Sequence, residues 1–266
     1  MSHNNSFSAL RDYLSVAPIA RAIIRSREIE LILSEKDFSG RIIDLGLGDG
    51  IFESILARHD LLIQFGIDHS FSVLKLAASA ASSKLSAGDM EKLPIRNETC
   101  DGIISNCVLE HIDNLPSSIS EMHRILKKNG KVLATVVTDR YPELLFWPRF
   151  FSKFGLKFFA KKYIAFIDEA FVHRRYPKTS EWKKFFEDSG FQVVKTVSYV
   201  GPRRQALMDI MLPFVGLGRV MRNLFGREIF LKRLWLAGFI ERLLSSDEEK
   251  KSESDFANVF IMAVKK

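Results

Sequence analysis

The stretch IIDLGLGDG, residues 42–50, ends an apolar run with three glycines at alternate positions, Gly46, Gly48 and Gly50. Glycine accepts positive φ and lets a ligand touch backbone amides, and the helical pattern from Ile51 offers an electropositive N-terminus. A plain strand-to-helix turn is the simpler interpretation, but these features together predict a nucleotide-type cofactor site. A dinucleotide fingerprint also needs a glycine where Ile51 or Glu53 stands, which disfavours an NAD-dependent oxidoreductase.

Polar residues that follow later apolar runs could contact the same ligand. Asp68 can accept hydrogen bonds from both hydroxyls of a ribose, or it can cap the helix that follows it. Asp89 can accept a hydrogen bond from an adenine amino group beside the soft side chain of Met90, although alone it would suit a turn. Asn106 closes another strand, so we expect it at the same edge of the cleft.

The elements that position these residues alternate along the first half of the chain. Apolar runs of strand length fall at 41–45, 61–67, 84–88, 101–106 and 130–138, and helical segments or turns follow them. This order predicts an α/β fold with a doubly wound, mostly parallel, Rossmann-like sheet. A further amphipathic helix over 18–33 is expected beside the sheet or over the cleft.

The composition is that of a globular protein, because 266 residues of which 47% are apolar can bury a sizeable core. Cys100 and Cys107 are the only cysteines, so we expect no disulfide framework and a cytoplasmic location. The polar N-terminus lacks the apolar run of a signal peptide, and export is not indicated. No window reaches the ~18 apolar residues of a membrane span.

Five motifs carry a family resemblance: IIDLGLGDG, GIDHS, AGDMEKLP, DGIISNCVLEHI and EMHRILKKNGKVLATVV. In order and spacing, over residues 38–140, they resemble class I S-adenosylmethionine-dependent methyltransferases. They look most like the branch of ubiquinone/menaquinone-type and other small-molecule methyltransferases (methyltransferase type 11). The resemblance implies a seven-stranded sheet with an antiparallel last strand, for which 190–200 and 257–266 are the remaining candidates.

The resemblance also implies roles for residues around S-adenosylmethionine. Asp44 and the glycine loop would hold the methionine part, Asp68 and His69 the ribose, and Asp89 and Met90 the adenine, with Asn106 on the methionine side. The glycine loop comprises Gly46, Leu47, Gly48, Asp49 and Gly50. Leu47 replaces a residue that is commonly Cys or Ser in the family. The Asn/Asp-Pro-Pro-aromatic motif of nucleic-acid amino-methyltransferases is replaced by NCVL, which argues against adenine methylation in DNA and disfavours a nucleic-acid partner.

Methyl transfer from a sulfonium requires mainly in-line positioning of the acceptor, and a general base helps if the acceptor is a hydroxyl. His173, just before a helix expected to start at Ser180, could reach over the cleft and is the first candidate base. His111 is the second, although a structural role suits it better, and Tyr176 is the third. The chain shows no metal-ligand spacing, so we expect no metal.

A basic aromatic segment, ELLFWPRFFSKFGLKFFAKKYIAF, starts at Glu143 and contains no acidic residue after it. A period of about 100° per residue predicts an amphipathic helix that is weakened at Gly155. One face carries four aromatic residues and lysines lie beside it: Trp147, Phe151, Phe154 and Phe158, with Lys153, Lys157 and Lys161.

Residues 202–243 repeat the theme, and we expect two helical pieces separated near Gly216 and Gly218. The polar run at 245–254 is expected to be a flexible loop. The chain is thus predicted to be one methyltransferase domain. Its parts are an N-terminal helical segment (1–37), a cofactor-binding core (38–140) and helical cap insertions (141–178 and 202–250).

Three interpretations of the cap compete. Its apolar faces could complete the core, they could lie on an anionic membrane surface, or the basic and aromatic residues could bind RNA, which is the weakest case. We therefore expect a cytoplasmic methyltransferase that methylates a small-molecule or lipid-like acceptor, with oxygen favoured. Peripheral contact with the inner face of a membrane stays an open alternative for its location. The alternative is a catalytically idle nucleotide-binding or membrane-associated interaction protein.

Overall fold

A single sheet of seven strands, in the order β3-β2-β1-β4-β5-β7-β6, forms the centre of the computed structural model. The structure describes residues 8–81, 83–225, 237–244, 252 and 255–266. The strands are β1 Ile42–Leu45, β2 Phe65–Asp68, β3 Lys84–Ala87, β4 Cys100–Asn106, β5 Leu126–Val137, β6 Phe191–Tyr199 and β7 Asn258–Lys265. The first five pair in parallel, and β7 is antiparallel to both β5 and β6. The predicted fold class, including the antiparallel last strand, is confirmed.

Helices cover both faces of this sheet. They are α1 Ala9–Val16, α2 Ile19–Leu33, α3 Ile51–Arg58, α4 Phe71–Ala77, α5 Leu115–Ile125, α6 Tyr141–Leu144, α7 Phe146–Lys153, α8 Lys157–Phe171, α9 Thr179–Asp188, α10 Pro202–Phe225 and α11 Ala237–Leu244. In the described part of the chain, none of them is both long and apolar enough to cross a membrane.

The alternation of side chains along the strands divides the core into two layers, because successive residues point to opposite faces. On one face, Ile42 and Ile104 pack with residues of α1 and α2 such as Tyr13 and Ile23. On the other face, the neighbouring residues Ile43 and Ile103 pack with α5 and α9, whose members include Ile119, Met122, Trp182 and Phe186. The two layers hold the parallel strand ends in fixed register, and this positions the residues of the cleft.

Two predicted helices agree with the structure. The helix over 18–33 is confirmed as α2, which follows Pro18 directly. The weak point at Gly155 is also confirmed, because this residue has a φ of +73° and separates α7 from α8. Such a φ is one that glycine adopts without steric cost.

The predicted break near Gly216 and Gly218 is wrong, because α10 is helical from Pro202 to Phe225. A glycine inside a helix costs about 1 kcal/mol but keeps its backbone hydrogen bonds, and α10 packs along α2. Packing of this kind can outweigh the low propensity. The predicted polar loop at 245–254 lies outside the described residues except for Ser252.

Candidate active site

The glycine loop lies between β1 and α3, and its three glycines have different roles. All have positive φ: +84° at Gly46, +66° at Gly48 and +75° at Gly50. A Cβ on Gly46 would lie 2.3 Å from Cγ2 of Val108, and one on Gly50 would lie 3.1 Å from Cβ of Ala81. A Cβ on Gly48 would meet no described atom within 4 Å. Gly46 and Gly50 therefore permit close packing, whereas Gly48 leaves open space above the loop.

Asp68, at the end of β2, is directed at this loop. Its Oδ2 accepts a hydrogen bond of 3.0 Å from the backbone amide of Gly48, and its Oδ1 accepts one of 2.9 Å from Ser70. The adjacent His69 is exposed, with Nδ1 3.4 Å from Asp68 Oδ1. Because β1 and β2 are parallel neighbours, their carboxyl ends bring the loop and this carboxylate together.

Asp44 is buried in β1, and its Oδ1 has no hydrogen-bond partner among the described residues. The pKa of Asp44 is raised to about 8. Burial is the main cause, and the negative charges of Glu53 and Asp68 add to it. A buried carboxylate of this kind is stabilised by a nearby cation. The carboxylate of Asp44, with Oδ1 unpaired among the described residues, therefore fits a ligand that brings a positive charge to the end of β1.

The side chains of Leu47 and Asp49 both contact other parts of the protein. Leu47 is buried against Leu74 and Ala77, so its backbone is the part that can face a cofactor. Asp49 forms a bidentate ion pair with Arg21 of α2, in which Nη2 of Arg21 and Oδ1 of Asp49 are 2.9 Å apart. Burial alone would raise the pKa of Asp49, but the guanidinium of Arg21 outweighs this and lowers it. Asp49 thus ties α2 to the glycine loop.

The residues predicted at the adenine end form a turn after β3. Asp89 is exposed, and its Oδ1 accepts a hydrogen bond of 2.9 Å from the backbone amide of Glu91. Met90 is buried in the layer that contains Ile67 and Leu93. Gly88 donates to the carbonyl of Asp68 over 3.1 Å, so this turn lies beside the end of β2.

Asn106 ends β4, next to β1 in the sheet. Its Oδ1 accepts a hydrogen bond from the hydroxyl of Thr135 on β5. The side chain is therefore held against the neighbouring strand, and its position at the carboxyl end of β4 is on the same edge as the glycine loop.

A buried polar cluster at the end of β4 was missed by sequence reasoning. The carboxylate of Glu28, fully buried on α2, accepts hydrogen bonds from Arg25 (2.8 Å), Tyr199 (2.9 Å) and the thiol of Cys107 (3.4 Å). The available signal was a glutamate on the buried face of an apolar helix, because such a charge needs partners. Together with Asp49, this cluster fixes α2 over the carboxyl edge of the sheet.

His173, after α8, belongs to a chain of hydrogen bonds. Its Nδ1 lies 2.8 Å from the hydroxyl of Tyr176, which donates to a carboxylate oxygen of Asp168. Since that hydroxyl donates to Asp168, it accepts from Nδ1–H, and Nε2 of His173 carries the lone pair. The pKa of His173 is lowered to about 4. Burial is the main cause, and the charge of His111 adds to it. The imidazole is therefore neutral near pH 7.

His111 stacks on His173, with ring centroids 5.4 Å apart. Both of its ring nitrogens lie 3.1 Å from backbone carbonyl oxygens, those of Val172 and Cys107. Glu110, His111 and His173 each offer a ligand atom within 4.8 Å of the others. A metal ion, however, would need a lone pair on a ring nitrogen of His111. Both ring nitrogens face backbone carbonyl oxygens, and this arrangement favours hydrogen bonding to the backbone over metal binding.

The structure thus brings Asp44, the glycine loop and Asp68 to one edge of the sheet. The sheet order and this loop define a class I, S-adenosylmethionine-dependent methyltransferase fold. A family model described as a methyltransferase domain matches residues 43–134, which span β1 to β5. This part of the chain is therefore a methyltransferase domain.

Similar proteins carry related names. A malonyl-[acyl-carrier protein] O-methyltransferase of Coxiella burnetii is 31% identical over 52% of this chain and 48% of its own length. A demethylmenaquinone methyltransferase of Listeria welshimeri is 28% identical over 51% of this chain and 62% of its own length. The chain therefore spans about half to two thirds of the length of these relatives.

The fold as a whole is similar to solved structures. A S-adenosylmethionine-dependent methyltransferase of Thermotoga maritima, described as a possible histamine N-methyltransferase, superposes with a TM-score of 0.60. The alignment covers 93% of this chain and 92% of that one at 19% identity. At this identity the similarity concerns the fold alone.

Proposed function

We propose that this chain transfers the methyl group of S-adenosylmethionine to a small-molecule or lipid-like acceptor, with oxygen as the acceptor atom. The observation that carries the proposal is the hydrogen bond from the backbone amide of Gly48 to the carboxylate of Asp68 at the end of β2. Among the described residues, the space above Gly48 is open. A ribose placed above Gly48 would find the Asp68 carboxylate as acceptor for its hydroxyls.

The cofactor supplies a methyl group bound to a sulfonium sulfur, and the neutral thioether that remains after transfer is a good leaving group. Its methionine part also carries an ammonium, and the buried Asp44 is a suitable partner for positive charge. The main task of the protein is then to orient the acceptor and exclude water. The buried Glu28 cluster and α2 enclose the carboxyl end of β4 for this purpose.

We assign the proton acceptor to Nε2 of His173. Tyr176 and Asp168 hold the imidazole in the tautomer with a proton on Nδ1, so Nε2 is free to take a proton from a hydroxyl. His111 supports the ring of His173 by stacking and by a hydrogen bond from one ring nitrogen to a backbone carbonyl, which suits a positioning role.

The names of the relatives support a lipid-like acceptor class. Those proteins are named for malonyl-[acyl-carrier protein] and demethylmenaquinone, and another, from Arabidopsis thaliana, for 2-methyl-6-phytyl-1,4-hydroquinone. A carboxyl or hydroxyl oxygen attached to a hydrophobic chain is therefore the first acceptor chemistry to test.

Calorimetry tests cofactor binding. We expect S-adenosylmethionine and its demethylated product to bind and NAD to give no heat. Asp68→Asn should weaken S-adenosylmethionine binding roughly 10–100-fold, since hydrogen bonds to a charged group contribute about 1.5–3 kcal/mol. Asp60→Asn is the matched control, because Asp60 is exposed after α3 and should leave binding unchanged. Equal binding by wild type and Asp68→Asn would contradict the proposal.

Labelling of cell extract tests the activity itself. Extract incubated with the protein and radiolabelled methyl donor should give a labelled product that partitions into organic solvent. Cofactor binding without any labelled product would instead favour the catalytically idle protein.

A further inference from the structure

Helices α7 and α8 expose an unusual amount of aromatic surface. Phe154 and Phe158 are 63% and 66% exposed, although large apolar side chains normally form the core. We define the cap surface as the large exposed apolar residues between Phe150 and Phe166 on this helix pair and the turn that joins it: Phe150, Phe154, Leu156, Phe158, Phe159 and Phe166. Exposed patches of this kind mark interaction sites in folded proteins.

Ring contacts make most of the cap surface continuous. Phe150 lies 4.9 Å from Phe154 between ring centroids, and Phe158 lies 5.7 Å from Phe159. Phe151 joins the two pairs, with centroid distances of 6.1 Å to Phe150 and 6.2 Å to Phe159. The rings therefore form one patch across the two helices.

The opposite side of the helix pair is anchored to α10. Buried Asp209 accepts a hydrogen bond of 3.0 Å from the backbone amide of Trp147 and another from the hydroxyl of Tyr163. Pro148 of α7, with Ala160 and Ile167 of α8, supplies the buried contacts of the pair. These contacts fix which side faces inward, so the aromatic patch is directed outward.

Exposed basic residues alternate with the aromatic residues of the patch along the chain, and residues 144–167 contain no acidic residue. The basic side chains are Arg149, Lys153, Lys157, Lys161 and Lys162. The ammonium of Lys162 lies 5.6 Å from the ring centroid of Phe158. An apolar patch with a border of one charge sign fits a surface that is apolar inside and anionic outside, which is the profile of an anionic bilayer.

We propose that the cap surface binds the face of an anionic lipid bilayer, with the phenylalanine rings in the interface and the lysines at the headgroups. The surface continues toward the active site, because Phe171 at the end of α8 stacks on His173. Docking in this orientation brings a lipid-borne acceptor to the cleft. That last step depends on the proposed function, whereas the binding surface does not.

Vesicle co-sedimentation without cofactor tests the surface. The probes are vesicles of phosphatidylcholine and of phosphatidylcholine with 30% phosphatidylglycerol, at low and high salt. The wild type should prefer the anionic vesicles. Lys153→Glu/Lys157→Glu/Lys161→Glu should lower its partition about 100-fold or more, since each basic residue near such a surface contributes a factor of about five. Phe154→Ser/Phe158→Ser should lower binding at both salt concentrations.

A charge-matched control separates the patch from net charge. Lys36→Glu/Lys84→Glu/Lys128→Glu changes the same total charge at exposed lysines outside the cap and should keep most of the binding. Equal losses for both triple variants would overturn the proposal. So would binding of a single-stranded RNA in place of vesicles, or self-association that Phe154→Ser/Phe158→Ser abolishes without any vesicle binding. Unchanged S-adenosylmethionine binding by each variant shows that it is folded, and keeps this test independent of the methyl-transfer proposal.

Discussion

At the residue scale, the three glycines of one loop differ in what surrounds them. Gly46 has Val108 against it, whereas Gly48 faces open space beside the Asp68 carboxylate. The first position is therefore limited by packing within the protein, whereas at the second only the proposed ligand would limit the size of the side chain. Both have positive φ, which costs a residue with a Cβ about 1–2 kcal/mol.

Alanine substitutions should separate the two roles. Gly46→Ala should destabilise the fold by roughly 2–5 kcal/mol, because overlap with Val108 adds about 1–3 kcal/mol to the backbone strain. Gly48→Ala should cost about 1–2 kcal/mol and yet weaken S-adenosylmethionine binding. Urea unfolding and calorimetry measure the two effects. A folded Gly48→Ala protein with wild-type affinity would exclude Gly48 from the cofactor site.

The lowered pKa of His173 predicts the pH dependence of the reaction. A histidine of ordinary pKa, near 6.5, would lose its basic form as the pH falls below that value, and the rate would fall with it. His173, with a pKa of about 4, stays neutral down to about pH 5, so kcat should remain level from pH 8 to pH 5.

Substitution tests the same group. His173→Gln should lower kcat by roughly 10²–10⁴-fold with unchanged cofactor affinity. His123→Gln is the control, because that histidine packs edge-on against Phe191 on the other face of the sheet. An acid limb centred near 6.5 in the wild type, or a nearly active His173→Gln, would contradict the assignment.

At the element scale, α2 is the helix that we expect to cover the cleft. Two of its side chains make polar contacts at the carboxyl edge of the sheet: Arg21 with Asp49 in the loop, and Glu28 with Cys107 and Tyr199. A carboxylate buried without these partners would be strongly destabilising, so the helix is held in one orientation.

Removing the contact between Arg21 and the loop should loosen this cover. Arg21→Met should cost about 1 kcal/mol or less in stability, since the pair is one third exposed, and lower cofactor affinity several-fold. Arg27→Met is the matched control, because Arg27 pairs with Glu30 within the same helix. Hydrogen exchange of α2 should accelerate in the first variant. Indistinguishable affinities for the two variants would exclude a role for the Arg21–Asp49 pair.

At the scale of the whole molecule, one sheet joins the cofactor-binding half to the later strands. Strands β6 and β7 extend it beyond β5, and β7 forms ladders with both neighbours. Ligand bound at the end of β1 should therefore stabilise the fold as a unit. The division into a core and cap insertions stays a prediction.

Thermal unfolding measures this coupling. S-adenosylmethionine at 100 times its Kd should stabilise the fold by about 2.7 kcal/mol, which corresponds to a rise in Tm of roughly 5–10 °C. NAD at the same concentration should give no shift. A rise of the same size with NAD would point to a general dinucleotide site, contrary to the missing third glycine.

The sequence by itself determined the succession of strands and helices along the chain, the glycine loop and the positions of Asp44 and Asp68 near strand ends. These features are local, since the period of apolar residues reports strands and helices, and glycines report where the backbone turns. The predicted break at Gly216 failed because propensity alone neglects the packing of α10 on α2.

Only the tertiary structure decided which side chains meet across long stretches of chain. The pairing of Arg21 with Asp49, the burial of Glu28 under Tyr199 and the outward direction of Phe154 and Phe158 are examples. An aromatic stripe in a sequence is equally compatible with a core and with an exposed surface. Which of the two it becomes depends on the partners that packing supplies, and here Asp209 anchors the opposite side of the helix pair.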